Sequence, residues 1–143
     1  VCTENALTLR TSIIGRELSR FASLLEWFLA QRGREISGYT RVIYSGVTTN
    51  YLADLVGDLI EDHPTLSGLY QVTSPPIPKH DLLCLLRAAY DLDVTINEES
   101  EVISDRSMVG EKFRLATGYD EPKWPKLVED LAADPTPYDA WRG

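Results

Sequence analysis

Three runs of apolar residues at helical spacing limit the fold most, because each follows a short stretch suited to a strand. Ala6-Leu-Thr-Leu-Arg-Thr-Ser-Ile-Ile14 precedes Phe21, Leu24, Leu25, Phe28 and Leu29. Tyr39 to Tyr44 precedes Leu52, Leu55, Val56, Leu59 and Ile60, and Leu69 to Thr73 precedes Leu82, Leu83, Leu85, Leu86 and Ala89. Strands favour β-branched and apolar runs, whereas helices repeat their buried face every 3.6 residues. Alternation of the two predicts an α/β chain.

The first run reads as a buried strand ending at Gly15. A helix from Leu18 to Arg32 follows, closed by Gly33. Arg34 to Gly38 reads as a turn and Tyr39 to Tyr44 as a short strand. Thr48 or Thr49 offers a hydroxyl to cap a helix reaching Glu61, which His63-Pro64 ends. Ser74-Pro-Pro-Ile-Pro78 reads as a rigid link, since proline cannot donate to a ladder. A helix from Lys79 to Tyr90 comes next. Val94 to Ile96 reads as a strand, Asn97 to Ser100 as an acidic loop, and Arg106 to Ala116 as a short helix. Trp124-Pro125 opens a last helix, with proline in the first turn where its missing N–H costs little. The tail from Asp134 reads as irregularly packed.

The chain has 143 residues, enough for one domain with a real core. A hydrophobic content of 43% with 25% charged residues excludes wholesale disorder. No apolar run approaches the ~20 residues of a membrane helix. Lys and Arg number 14 against 22 Asp and Glu, and the net charge of −8 has the wrong sign for a generic nucleic-acid binder. Of the two cysteines, Cys84 lies in an apolar helical stretch and reads as a buried free thiol. Spacing gives no support to a disulfide with Cys2, so a reducing, cytoplasmic setting is expected. His63 and His80 lack metal-ligand spacing and read as structural, and no metal is expected. No basic apolar leader is visible. The chain opens on Val1 and its only Met is Met108, which leads us to expect further polypeptide upstream.

Signatures of a self-sufficient enzyme are missing: there is no Gly-x-Gly-x-x-Gly, no P-loop and no Gly-x-Ser-x-Gly. Tyr119-Asp-Glu-Pro-Lys123 matches Tyr-x-x-x-Lys by spacing. That pair works only when both side chains share a helix face, so that the ammonium lowers the phenol pKa. Pro122 between them breaks such a helix, and Tyr119 reads as a packing residue.

Several segments, in order, resemble the C-terminal part of an extended short-chain dehydrogenase/reductase, nearest to the dTDP-4-dehydrorhamnose reductase-like nucleotide-sugar enzymes. Leu9-Arg-Thr-Ser-Ile-Ile-Gly15 is similar to the family's "Leu-Arg-Thr-Ser" strand, and Arg20-Phe21 to its "Asn-Phe" helix opening. Ser45-Gly-Val-Thr-Thr49 with Leu52-Ala53 resembles the turn and helix leading back to the nucleotide domain. Gly68-Leu-Tyr-Gln-Val72 resembles "Gly-Ile-Tyr-His-Val". Met108, Lys112 and Phe113 resemble the "Leu-x-x-x-Lys-Leu" helix, with Gly118-Tyr119 as the "Gly-Tyr" after it.

The family places its Gly-rich turn and its helical Tyr-x-x-x-Lys upstream. The resemblance therefore implies a C-terminal fragment with an α/β fold. Residues 1–33 would be the last strand and helix of a Rossmann-type domain. Residues 34–143 would be a small mixed α/β substrate-binding domain, with elements returning to the Rossmann sheet. NAD or NADP would bind the full-length parent and not this fragment tightly. Hydride would pass between nicotinamide and a keto-sugar, with the upstream Tyr as acid or base, and the fragment alone would be inactive. The implied partner is a nucleotide sugar, with neither nucleic acid nor membrane, and pairing of the parent is left open.

A diphosphate calls for guanidinium or ammonium donors, and Arg106 and Lys112 are the candidates for it. Arg10, Thr11 and Ser12 would lie at a strand's C-terminal end, where open α/β sheets bind ligands. Arg20 opens the long helix as a further candidate. Gly46 reads as the pivot of a tight turn, and Trp27 and Trp124 as packing residues. Ile13 replaces a family aromatic residue, Arg20 the Asn, and Val102-Ile103 the "Arg-Pro" pair. The departures at Ile13 and at Val102-Ile103 support an alternative: a non-catalytic homologue serving as a regulatory or protein-binding module.

Overall fold

The computed structural model describes residues 5–141, so Cys2 lies outside the described residues. The apolar run after Ala6 forms two strands rather than one. It divides into β1 (Leu7–Arg10) and β2 (Ile13–Ile14), which join different sheets. The break falls at Thr11-Ser12. There the Thr11 hydroxyl donates to the Val72 carbonyl at 2.9 Å, and the Ser12 carbonyl accepts the Val47 amide at 2.9 Å. Ile13 is 56% exposed, so the run is also less buried than its composition predicts.

Helix α1 (Leu24–Leu29) is much shorter than the predicted span from Leu18 to Arg32. Arg20 and Phe21 have φ of 69° and 49°, in the left-handed region that no α-helix admits. The Glu17 carboxylate accepts the Ala22 and Ser23 amides at 3.1 and 2.6 Å, satisfying the helix start from outside. The turn expected at Arg34 is instead β3 (Arg34–Tyr39). It pairs in parallel with β8 (Val94–Glu99), which absorbs most of the expected acidic loop. Ile36 and Val94 turn into the core while Glu35 and Glu98 stay in water, so the charges tolerate a strand.

β4 (Val42–Tyr44) is the centre of a three-stranded sheet. It pairs antiparallel with β7 (Ile77–Pro78) and parallel with β9 (Ser104–Asp105). The proline link thus does contribute a strand, but only at a sheet edge, where a missing donor is tolerated. β2 pairs with β5 (Val47–Thr48), and β1 with β6 (Gly68–Gln71), both in parallel.

Helix α2 (Thr49–Asp62) starts as predicted, with the Thr48 hydroxyl accepting the Tyr51 amide at 3.4 Å. Helix α3 (Lys79–Ala89) carries Asp81 in its first turn and Arg87 in its last, both favourable to its dipole. Helix α4 (Glu111–Thr117) begins five residues later than expected and ends on Gly118, whose φ of 74° suits glycine. Helix α5 (Trp124–Ala132) has Pro125 in its first turn. The main core joins Leu25 and Phe28 of α1, Leu82, Leu83 and Leu86 of α3, and Leu127, Val128 and Leu131 of α5 against the β3–β8 pair. A second core of Val47, Leu55, Leu59, Val72 and Phe113 lies under α2 and α4. Among the described residues, no helix is long and apolar enough to cross a membrane.

The tail ends in a 3₁₀ turn, Tyr138–Trp141, and Asp134 fixes its root. Hydrogen bonds from the Thr136 hydroxyl and amide, with others from Asn50 and Tyr138, hold the Asp134 carboxyl down to about 2 from an ordinary 3.8. A carboxyl lowered on folding stabilises the native state fully above its unfolded value and loses that contribution as pH falls through its folded one. Acid titration of unfolding should therefore show a loss of stability between about pH 4 and pH 2, and Asp134→Asn should flatten it.

Candidate functional site

A cleft opens between α1, β3, β4 and the start of α3. It holds two adjoining cavities of about 570 and 330 Å³, which share Leu24, Tyr39 and Lys79 as walls. The larger one is completed by Ala22, Trp27, Ile36 and Ser37. Tyr44, Leu82 and Arg106 are among the residues that complete the smaller. Its walls are mostly apolar and aromatic with a few polar groups, the usual composition of a small-molecule site.

Two cations face this space. Lys79 is the first residue of α3, so its charge adds to the positive end of the helix dipole. Its ammonium lies 5.7 Å from the centre of the Tyr39 ring. Burial pushes its pKa below the ordinary value, and the nearby Arg106 charge pushes the same way. Neither Lys79 nor Arg106 has a carboxylate partner among the described residues. Asp81, the nearest acid along α3, is paired instead with His80 Nδ1 at 2.9 Å. In a chain of net charge −8, the cleft is a local positive site.

A second polar cluster gathers where β1, β5 and β6 meet. Ser74 Oγ donates to the Gly46 carbonyl at 2.6 Å, and Ser45 Oγ accepts the Met108 amide at 2.8 Å. Thr73 Oγ1 donates to Glu121, which also pairs with Arg114 at 3.0 Å. A methyl group on Gly46 would meet the Ser12 carbonyl at 2.1 Å and the Tyr44 hydroxyl at 2.2 Å. Glycine is thus demanded here by close packing. Burial raises the pKa of the Tyr44 phenol. The Ser12 side chain offsets part of this from close by, without meeting the hydroxyl in hydrogen-bonding geometry. These hydroxyls hold turns together, and the cleft is the better candidate for a ligand.

No protein-family model matches the sequence, and no curated protein matches it. Solved structures do. The dTDP-4-dehydrorhamnose reductase of Bacillus anthracis, determined in complex with NADP, superposes with a TM-score of 0.73 at 19% identity, over 92% of this chain and 49% of that one. The UDP-N-acetylglucosamine 4-epimerase of Bacillus cereus gives 0.64 at 12% identity, over 96% and 47%. The dTDP-glucose 4,6-dehydratase of Bacillus anthracis, in complex with NAD, gives 0.62 at 9% identity, over 89% and 43%. The chain has a mixed α/β fold similar to the C-terminal part of Rossmann-type reductases. At such identities the likeness is one of fold, and the chain spans about half the length of each structure.

The six sequence candidates scatter over the fold. Arg106 lies in the cleft. Lys112 sits on α4, its ammonium donating to the Leu69 carbonyl at 2.8 Å and lying 4.4 Å from the centre of the Tyr70 ring. Thr11 and Ser12 join the strand-end cluster, with the Thr11 hydroxyl occupied by Val72. Arg10 is exposed at the end of β1, and Arg20 is exposed in the left-handed stretch before α1. Sequence reasoning missed Lys79, which no motif marks; a lysine directly after the proline link was its only signal. Trp27 also differs from its packing assignment, being 40% exposed and lining the larger cavity. The Tyr119 to Lys123 stretch is non-helical, as Pro122 dictates. Cys84 is a free thiol, half-buried rather than buried, 3.8 Å from His80 Nε2. No cluster among the described residues has the make-up of a metal site.

Because burial and Arg106 both oppose the Lys79 charge, the ammonium destabilises the folded chain wherever it is protonated. The cost is full at neutral pH and vanishes above the unfolded lysine value, near 10.4. Lys79→Met should therefore raise the thermal midpoint at pH 7, with the gain disappearing in strongly alkaline buffer.

Proposed function

We propose that this chain is the substrate-binding part of an NAD(P)-dependent nucleotide-sugar reductase or epimerase of the dTDP-4-dehydrorhamnose reductase type. In this reading Lys79 and Arg106 receive the diphosphate. The observation that carries it is the pair of cations without carboxylate partners on one cavity of an acidic chain. A diphosphate relieves their mutual repulsion and offers each a charge-assisted hydrogen bond. Tyr39 and Trp27 give flat apolar surface for the rest of the nucleotide. Retaining a destabilising lysine in a cleft is what a site kept for binding does.

In this reading the dinucleotide site lies outside the described residues. The strands β1 and β6 run into Thr11-Ser12 and Val72-Thr73-Ser74 rather than into a glycine-rich turn opening a helix. The nicotinamide would be held by the rest of the parent, and this chain's task is to hold and orient the sugar nucleotide. The chain alone should not oxidise NADPH. Exposed Val102 and Ile103, where the resemblance places an Arg-Pro pair, favour the protein-binding alternative, in which the cleft takes no nucleotide.

Titration calorimetry with dTDP tests the assignment. Losing one charged hydrogen bond costs roughly 1.5–3 kcal/mol, so Lys79→Ala and Arg106→Ala should each weaken dTDP binding by about ten- to hundredfold. Lys112→Ala should leave it unchanged. Sensitivity to Lys112 alone would move the site to α4, and no dTDP binding by the unmodified chain would favour the protein-binding homologue.

A further inference from the structure

The tail after α5 meets Arg16, near the start of the chain. Arg16 Nη2 donates to Asp139 at 2.6 Å, and the same guanidinium lies 5.1 Å from the centre of the Tyr138 ring. Tyr138 in turn donates to Asp134 at 3.0 Å, and Asn50 of α2 donates to the same carboxyl at 2.9 Å. The tail is thus anchored at its root and grips Arg16 near its end.

From Arg16 the contacts run inward. Its Nε donates to Glu26 Oε1 at 2.8 Å, and Glu26 is fully buried in α1. The same oxygen accepts the Glu17 amide at 2.9 Å, and the Glu17 carboxylate holds the amides of Ala22 and Ser23. Between these ties lie Arg20 and Phe21, both left-handed without being glycine. Such a conformation persists only where the surroundings over-determine it. Immediately after it come Ala22, Leu24 and Trp27, which form one wall of the cleft.

We propose that the tail is a strap that positions this wall. Tyr138 and Asp139 hold Arg16; Arg16 holds Glu26 and, through it, Glu17; and the strained stretch 17–23 keeps the cleft in its binding shape only while that chain of contacts is closed. Tyr138 and Asp139 are positioning residues that touch no ligand. A strap at the surface reaches an otherwise remote wall because the relay runs through a buried charge pair, Arg16 to Glu26, that packing holds away from water. The effect on ligand binding rests on the cleft assignment above; the effect on the loop does not.

Arg16→Ala would remove a cation paired with the buried Glu26 carboxylate and threaten the fold, so the strap is best broken from the tail. In the full chain carrying Tyr138→Ala and Asp139→Ala together, amide exchange at Ala22 and Ser23 should accelerate about tenfold or more, with α3 amides unchanged. The dissociation constant for dTDP should rise about threefold or more, an indirect effect smaller than loss of a contacting cation. Asp139→Glu alone should keep both at their original values. Unchanged exchange at Ala22 and Ser23 in the double variant overturns the proposal. So does faster exchange with unaltered dTDP affinity, since the tail would then hold the loop without governing the cleft. If the unmodified chain binds no dTDP, the cleft assignment fails while exchange still decides whether the tail holds the loop.

Discussion

Leu82, Leu83 and Leu86 of α3 have no solvent exposure, and the positions of the other parts follow from that burial. Three fully buried leucines contribute several kcal/mol from transfer alone, an amount comparable to the net stability of a domain. They pin α3 against the β3–β8 pair on one side and α5 on the other. The first residue of the same helix is Lys79. A charged group that folding disfavours is thereby held at the cleft by a fully buried part of the core. Gly38 shows how closely the two are joined: a methyl group there would meet His80, in the same first turn, at 2.7 Å.

The elements that could be read from the sequence are those whose ends carry their own chemistry. Helices α2, α3 and α5 match expectation closely, because a threonine cap, a proline link and a first-turn proline each set a start that tertiary contacts need not supply. Helix α1 failed for the opposite reason. Its apolar period continues back through Phe21, but the start is set by the carboxylates of Glu17 and Glu26, and only the folded chain brings these to the backbone. β8 extends through acidic residues for a related reason. A strand needs only one buried face, and Asn97, Glu98 and Glu99 follow Val94 and Ile96 in a ladder that β3 provides.

Less of the site was legible. Arg106 was found because a family pattern pointed to cations near that position. Lys112, on the same grounds, lies against Tyr70 and a backbone carbonyl. Lys79 and Tyr39 belong to segments 40 residues apart in the sequence, and nothing local in either signals that α3 begins beside the end of β3. A binding site made from a helix start, a strand end and a loop is a property of topology. Only the identity of the charges is written in the sequence; their convergence is not.

That convergence also makes the proposed anion site compatible with an acidic chain. The net charge of −8 acts at long range, where salt screens it beyond about 8 Å at physiological ionic strength. Lys79 and Arg106 act at short range on the cleft, and the half-buried Lys79 is partly desolvated, where screening is weak and its charge counts for more. The two scales favour different ligands. A long polyanion, which must lie across much of the surface, meets the repulsive field along its length. On the proposed reading, a compact diphosphate would meet two cations and an aromatic wall and leave most of the acidic surface untouched. A net charge of the wrong sign for a generic nucleic-acid binder is thus compatible with a nucleotide, and in the proposed reading the preference would come from where the few uncompensated cations are placed.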